Sequence, residues 1–494
     1  MDTPAPAPRS SLIIGVLAGA GITVSIMQTL VVPLIPQLPQ LLDTSAANAS
    51  WAITVTLFAS AVSTPVLGRL GDMYGKKPFL VLCAVLLTLG SVICALSSSL
   101  VPVVIGRALQ GVCIPIIPLG ISIMRDVIPQ ERLGSAMALM SSSLGVGGAL
   151  GLPVASLIAQ HADWHVLFWV SAGLGAVVSL LLFLVVPDSP ARTRERFDLL
   201  GAIGLCTGLV ALLLGISKGA DWGWSSGPTV GSFATAAAVL PLWGWWELRT
   251  RSPLVDLRTS ARRQVLVTNL VSVLIGFGMY ATSLAGPQLL QLPAETGHGL
   301  GQSMLAAGLW MAPGGLAMMV VAPLAARLSG ARGPRAALLL GGLVMAGGYG
   351  LGLVLMNWAW GITIFGLLIS AGIGLAYAAM PALIMGAVPL SETAAANGLN
   401  ALARSIGTST SSAVVGAVLA NMTTQLGSVP VPAESGFQAT FVIGAAASAV
   451  AALLTLALPR GAQPIPAGDR PATAERPPAP TAPTAPTAPT AKGA

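Results

Sequence analysis

Apolar runs of about 20 residues recur along nearly the whole chain, and no other feature restricts its fold as much. As a helix, such a run matches the roughly 30 Å hydrocarbon core of a bilayer. The runs are continuous and lack a two-residue alternation, which leaves helices and not a β-barrel as the spanning elements. Composition agrees: 54% of the 494 residues are hydrophobic and only 8% are charged, against about a quarter in a soluble domain. The expected fold is an all-α polytopic membrane protein. Fourteen spans are read at about 11–35, 51–69, 79–97, 101–124, 133–159, 165–186, 199–217, 229–247, 265–287, 302–325, 336–356, 359–382, 393–420 and 437–458.

Charge placement tests this map. With the N-terminus inside, every one of the 24 Lys and Arg residues except Arg107, Lys218 and Arg404 falls on an inner segment, as the positive-inside rule demands. The net charge of +7 then reflects orientation in a membrane and not nucleic-acid binding. Both termini are expected in the cytoplasm. Trp51, Trp164, Trp224 and Trp358 stand at span ends as an aromatic belt requires, while Trp310 reads as deep in its span. A cleaved signal peptide is not expected, because the first run is long and more spans follow at once. The four cysteines have no metal-ligand spacing and read as small buried hydrophobes. The Pro/Ala/Thr-rich stretch 461–494 is expected to be disordered.

One polar interruption, "GRLGDMYGKKP" from Gly68 to Pro78, is echoed by "ARLSGARGPR" from Ala326 to Arg335. The alignment places Arg69 on Arg327, Gly75 on Gly333 and Lys77 on Arg335, and leaves Gly330 opposite Asp72. Both stretches follow the second span of a six-span block if spans seven and eight are an insertion. Repeated halves of this kind accompany a substrate path between them.

The first stretch closely resembles the loop motif of the major facilitator superfamily, in its fourteen-helix drug:proton antiporter branch. "GRALQG" (Gly106–Gly111) is similar to that superfamily's fourth-helix motif. "GVGGALGLP" (Gly145–Pro153) resembles its fifth-helix exporter motif in a degraded form. "GLNALARSIGTS" (Gly398–Ser409) resembles the pattern opening the thirteenth helix. The resemblance implies two six-helix bundles, residues 11–186 and 265–460. Between them lie two inserted helices with cytoplasmic linkers (187–264), and the ends are a cytoplasmic segment (1–10) and the tail. It implies a monomeric bacterial inner-membrane transporter that exports drug-like hydrophobic compounds by alternating access. The proton gradient would supply the energy, with no cofactor, metal or enzymatic activity. Facilitated export of one endogenous metabolite without strict proton coupling is the alternative.

Residue roles follow. Gly68, Gly71 and Gly75 permit a tight turn and close helix approach. Asp72 can accept N–H bonds at a helix start, or pair with Arg69 or Arg125, and the resemblance makes it an inner latch. Lys76 and Lys77 also read as topology anchors, and the resemblance puts Lys76, with Arg69, Arg125 and Asp126, in the gating and coupling set. Arg107, costly inside a bilayer by about 2.5–3.5 kcal/mol, needs a polar partner and is implied in coupling. Gly145, Gly147, Gly151 and Pro153 mark a close-packed, bendable fifth helix. Arg404 either snorkels to the inner face or gates against the Asp72 loop.

No acidic residue is mid-span, and Met27 stands where the branch usually has an aspartate. Asp72 and Asp126 are then the carboxylates left for proton coupling, and an interior carrying Arg107 favours neutral or anionic substrates. Met27, Gln28, Trp310 and Tyr377 are the candidate cavity residues.

Overall fold

The computed structural model describes residues 8–31, 34, 37–49, 51–189, 196–389, 392–426 and 429–459; the Pro/Ala/Thr-rich tail lies outside them. The long helices are α1 (Pro8–Thr29), α2 (Trp51–Tyr74), α3 (Lys76–Ala95), α4 (Leu100–Val127), α5 (Gln130–His161), α6 (His165–Val185), α7 (Leu199–Trp222) and α8 (Gly227–Arg249). They continue with α9 (Arg263–Gln291), α10 (Met304–Arg332), α11 (Pro334–Leu355), α12 (Ala359–Met385), α13 (Thr393–Asn421) and α14 (Glu434–Thr455). Among the described residues, twelve of these are long and apolar enough to cross a membrane, with α8 and α13 outside that set. For α13 the reason is its position. It packs on α2, α4, α7 and α9, so it carries Asn397, Asn400, Ser409 and Ser411 as buried groups and need not be apolar all round.

Helix pairing repeats along the chain. α1 packs on α5 and α6, α2 on α4, and α3 on α4 and α6. The same pattern recurs as α9 on α13 and α14, α10 on α12, and α11 on α12 and α14. Two seams join these sets, α2 with α13 and α5 with α10, and they are equivalent under the repeat. α7 covers the first seam, where Leu205 and Leu209 meet Phe58, Ala61 and Leu402, and α8 packs on α7.

The turns of the repeat match as well. Gly75 (φ 106, ψ 139) and Gly333 (φ 82, ψ 157) join α2 to α3 and α10 to α11 in a positive-φ conformation that only glycine adopts without strain. α4 is broken after Gly111, because Pro115 has no N–H to offer Gly111 O and the chain turns through Val112–Pro115 before resuming. Gly111 itself packs against Thr56 O of α2, where a Cβ would lie at 2.4 Å. Large apolar side chains such as Leu180, Phe183, Val320 and Leu453 are exposed on the outside, an arrangement suited to lipid and not to water. Not all of the structure is helical: Thr423–Leu426 and Val429–Pro432 pair as an antiparallel hairpin between α13 and α14.

Candidate functional site

At one end of the molecule the α2–α13 seam closes around Asp72. Gly68 lets the backbones touch, since a Cβ there would lie 2.9 Å from Ala394 O. One turn on, the Asp72 carboxylate accepts the N–H groups of Ala395 at 2.9 Å and Ala394 at 3.3 Å. These are first-turn amides of α13, which have no acceptor within their own helix and sit at its positive end. An acid of α2 thereby caps a helix of the other set.

Lys76 is part of the same cluster. Its ammonium is buried and donates to Asp126 Oδ2 at 2.7 Å and Thr393 Oγ1 at 3.3 Å, and lies 3.7 Å from Asp72 Oδ1. Lys76 is therefore not on a solvated loop: it is the central cation of a buried ion cluster, and Lys77, half-buried over the Phe183 ring, keeps the outer position. Arg125 is not the partner of Asp72 either; its Nη2 donates to Val388 O at 3.4 Å. Asp126 also accepts from Ser189 Oγ, while Asp126 Oδ1 and Arg125 Nη1 are buried without a partner. Arg69 is buried beside this cluster, and Gly71 touches Leu119 of α4.

Arg107 is buried among α1, α2 and α3 neighbours. Its Nε donates to Ala52 O at 3.0 Å, and its Nη1 to Gln110 Oε1 at 2.7 Å and to Met27 O at 3.5 Å. Gln110 passes the chain on to Ser91 at 2.8 Å. These acceptors are all neutral. Met27, the residue at the position where an acid was expected, lies next to this cation through its carbonyl, and its side chain is core packing and not cavity wall.

The fifth-helix glycines serve two neighbours. Gly147 and Gly151 meet Ser25 and Thr29 of α1, while Gly145 meets Met318 of α10 and Pro153 lies against Gly308. In return, a Cβ on Gly315 would stand 2.2 Å from Gly145 O, so the α5–α10 seam is backbone on backbone.

Between the seams is a cavity of about 20 Å³, bounded by Ile117, Ser141, Tyr377, Asn397, Asn400 and Arg404 among others. That is room for roughly one water. Arg404 lies about 16 Å along α13 from Thr393, and its guanidinium sits over the Tyr377 ring, 4.7 Å from the centroid. Both readings of Arg404 are corrected: it neither snorkels nor faces the Asp72 loop, and instead lines the cavity with Tyr377. Its depth along α13 was the available signal. Trp310 and Gln28 are absent from the wall. Trp310 is in the second turn of α10, exposed, its indole donating to Gln302 at 3.2 Å, so it belongs with the belt tryptophans.

Helices that pair alike in two sets around a polar seam define a class, the polytopic membrane transporters. The chain belongs to the Major Facilitator Superfamily, whose pattern matches residues 17–412 and again 292–491. It is 25% identical over 420 residues to the multidrug resistance protein Stp of Mycobacterium tuberculosis, covering 83% of this chain and 76% of that one. The tetracenomycin C resistance and export protein of Streptomyces glaucescens is 25% identical over 402 residues, 81% of this chain and 74% of its own. The MFS-type transporter YvkA of Bacillus subtilis is 30% identical over 286 residues, 56% of this chain and 62% of its own length. In fold, the crystal structure of the human organic anion transporter MFSD10 is similar with a TM-score of 0.64 at 16% identity, covering 91% of this chain and all of that one.

Proposed function

We propose that this transporter exports drug-like hydrophobic compounds by alternating access and is powered by the proton gradient. In this reading it is a monomer of fourteen spans, two six-helix bundles with α7 and α8 inserted, in a bacterial inner membrane. Both termini and the Asp72 end face the cytoplasm. The names of Stp and of the tetracenomycin C exporter support export of such compounds. The observation that carries the mechanism is the Asp72 cap on α13. It joins the two bundles by hydrogen bonds, beside small apolar contacts of Ala394 and Leu402 with the first bundle that part with them. The unpartnered Asp126 Oδ1 and Arg125 Nη1 beside it are polar atoms that gain water when this end opens, which lowers the cost of opening.

A second reading, facilitated export of one endogenous metabolite without strict proton coupling, draws on the cavity wall. No Asp or Glu is among its residues, and Asp72 and Asp126 are both engaged with Lys76. Inverted membrane vesicles separate the two. The proton-driven reading expects dye accumulation that stops when the pH gradient is collapsed. Accumulation indifferent to the gradient supports the second reading, and no accumulation of any dye or antibiotic refutes export.

A further inference from the structure

Arg404 is built into the cavity as an acceptor-seeking cation. Gly276 of α9 makes room for its stem, since a Cβ there would lie 2.5 Å from Arg404 O and 3.1 Å from its Cγ. The Tyr377 ring fixes one face of the guanidinium, and the Tyr377 hydroxyl is turned away, donating to Met279 Sδ at 3.1 Å. Among the described residues the guanidinium has no carboxylate and no hydrogen-bond acceptor. A guanidinium offers five N–H donors in a fork that matches a carboxylate or a phenolate. The guanidinium is half-buried on the cavity and none of its nitrogens is sealed from it, so its donors are available to a bound anion, which would make charge-assisted bonds there.

The rest of the wall selects what else the occupant carries. Ile117, Pro118, Ile121 and Leu144 are apolar, and Asn400, whose amide nitrogen is used on Asn269 and Ser272, keeps its oxygen free of those bonds. Arg107 adds a second buried cation whose acceptors, Ala52 O, Met27 O and Gln110 Oε1, are neutral. Resting on the reading of this cavity as the transport path, we propose that its substrates are aromatic organic anions. A carboxylate or ionised phenol pairs with Arg404 while the ring system lies on Tyr377 and the apolar wall. Lipophilic cations are disfavoured in this interior, because no carboxylate lines it. The cavity is closed in this conformation, so the anion enters as the halves part.

The test uses the full chain in detergent micelles and two dyes that share a xanthene ring but differ in charge, anionic fluorescein and cationic rhodamine 6G. Fluorescence anisotropy titrations are expected to give fluorescein the tighter binding by about tenfold, the scale of one charge-assisted pair. In Arg404→Gln, fluorescein is expected to weaken about tenfold and rhodamine 6G to strengthen, while Arg404→Lys recovers part of the fluorescein affinity. Tighter binding of rhodamine 6G by the native protein, no fluorescein binding, or an unchanged fluorescein affinity in Arg404→Gln would each overturn the proposal. The native comparison stands even where a variant fails to fold. Because binding in micelles needs no transport, vesicles that move neither dye while this preference holds support the site and count against the export reading alone.

Discussion

Asp72→Asn keeps the shape of the side chain and removes its charge, which isolates the contact that closes the α2–α13 seam. In the native protein two N–H groups, Ala395 at 2.9 Å and Ala394 at 3.3 Å, point at a buried carboxylate. A hydrogen bond to a charged acceptor contributes about 1.5–3 kcal/mol and a neutral one about 0.5–1.5. Asparagine offers one carbonyl oxygen for the two donors and turns an amide toward Lys76, which already carries a positive charge. The cap is then weaker by about 2 kcal/mol, and its opening equilibrium rises about thirtyfold. Those first-turn amides have no helical acceptor, so Asp72 supplies their protection. Hydrogen exchange of the peptide covering 393–397, in nanodiscs, should therefore accelerate about thirtyfold, with membrane insertion intact and vesicle transport abolished. Exchange that stays at the native rate, or transport that survives, would refute the cap as the element that holds this end shut.

Other substitutions probe the neighbouring contacts. Lys76→Met strands Asp72 and Asp126 without their shared cation and should cost about 3–5 kcal/mol in thermal unfolding, whereas Lys77→Met, on the outer position, should cost under about 1 kcal/mol. Gly315→Ala drives a Cβ to 2.2 Å from Gly145 O, and Gly145→Ala drives one to 2.6 Å from Met318 Cβ, so each should force the α5–α10 seam apart and abolish transport, read by dye accumulation in vesicles. Arg107→Met leaves Ala52 O, Met27 O and Gln110 short of a donor and should lower unfolding stability by about 1–3 kcal/mol. His298→Ala removes the ring that bridges Thr296 O and Pro432 O, so limited proteolysis should cut the hairpin around 423–432 faster.

Much of this was legible in the sequence because length, hydropathy and loop charge report on crossing a bilayer, and the glycines of "GRLGDMYGKKP" report on close approach. Gly68 and Gly75 could be placed because each relieves a steric conflict that no other residue relieves. The partners of Lys76 could not be read. A lysine beside a glycine turn looks the same whether it faces water or opens a helix, and only the fold brings Asp126 and Thr393 around it. Arg404 and Trp310 were misplaced for a related reason. In helices that are apolar on nearly every face, periodicity does not say which side meets a neighbour, and Arg404 is held inward by Gly276 from another helix. The hairpin went unread because Pro430 and Pro432 argue against a strand, and an isolated two-strand ribbon tolerates them at its edges.

In the proposed alternating-access cycle, the closed Asp72 end is one of two states of the bundles. Spin labels at Tyr74 and Ala331, exposed positions at the matching ends of α2 and α10, measure it by pulsed dipolar distances in nanodiscs. Two distance populations are predicted, with the longer one enriched by Asp72→Asn. A single population that Asp72→Asn leaves unchanged would contradict alternation about the Asp72 cap.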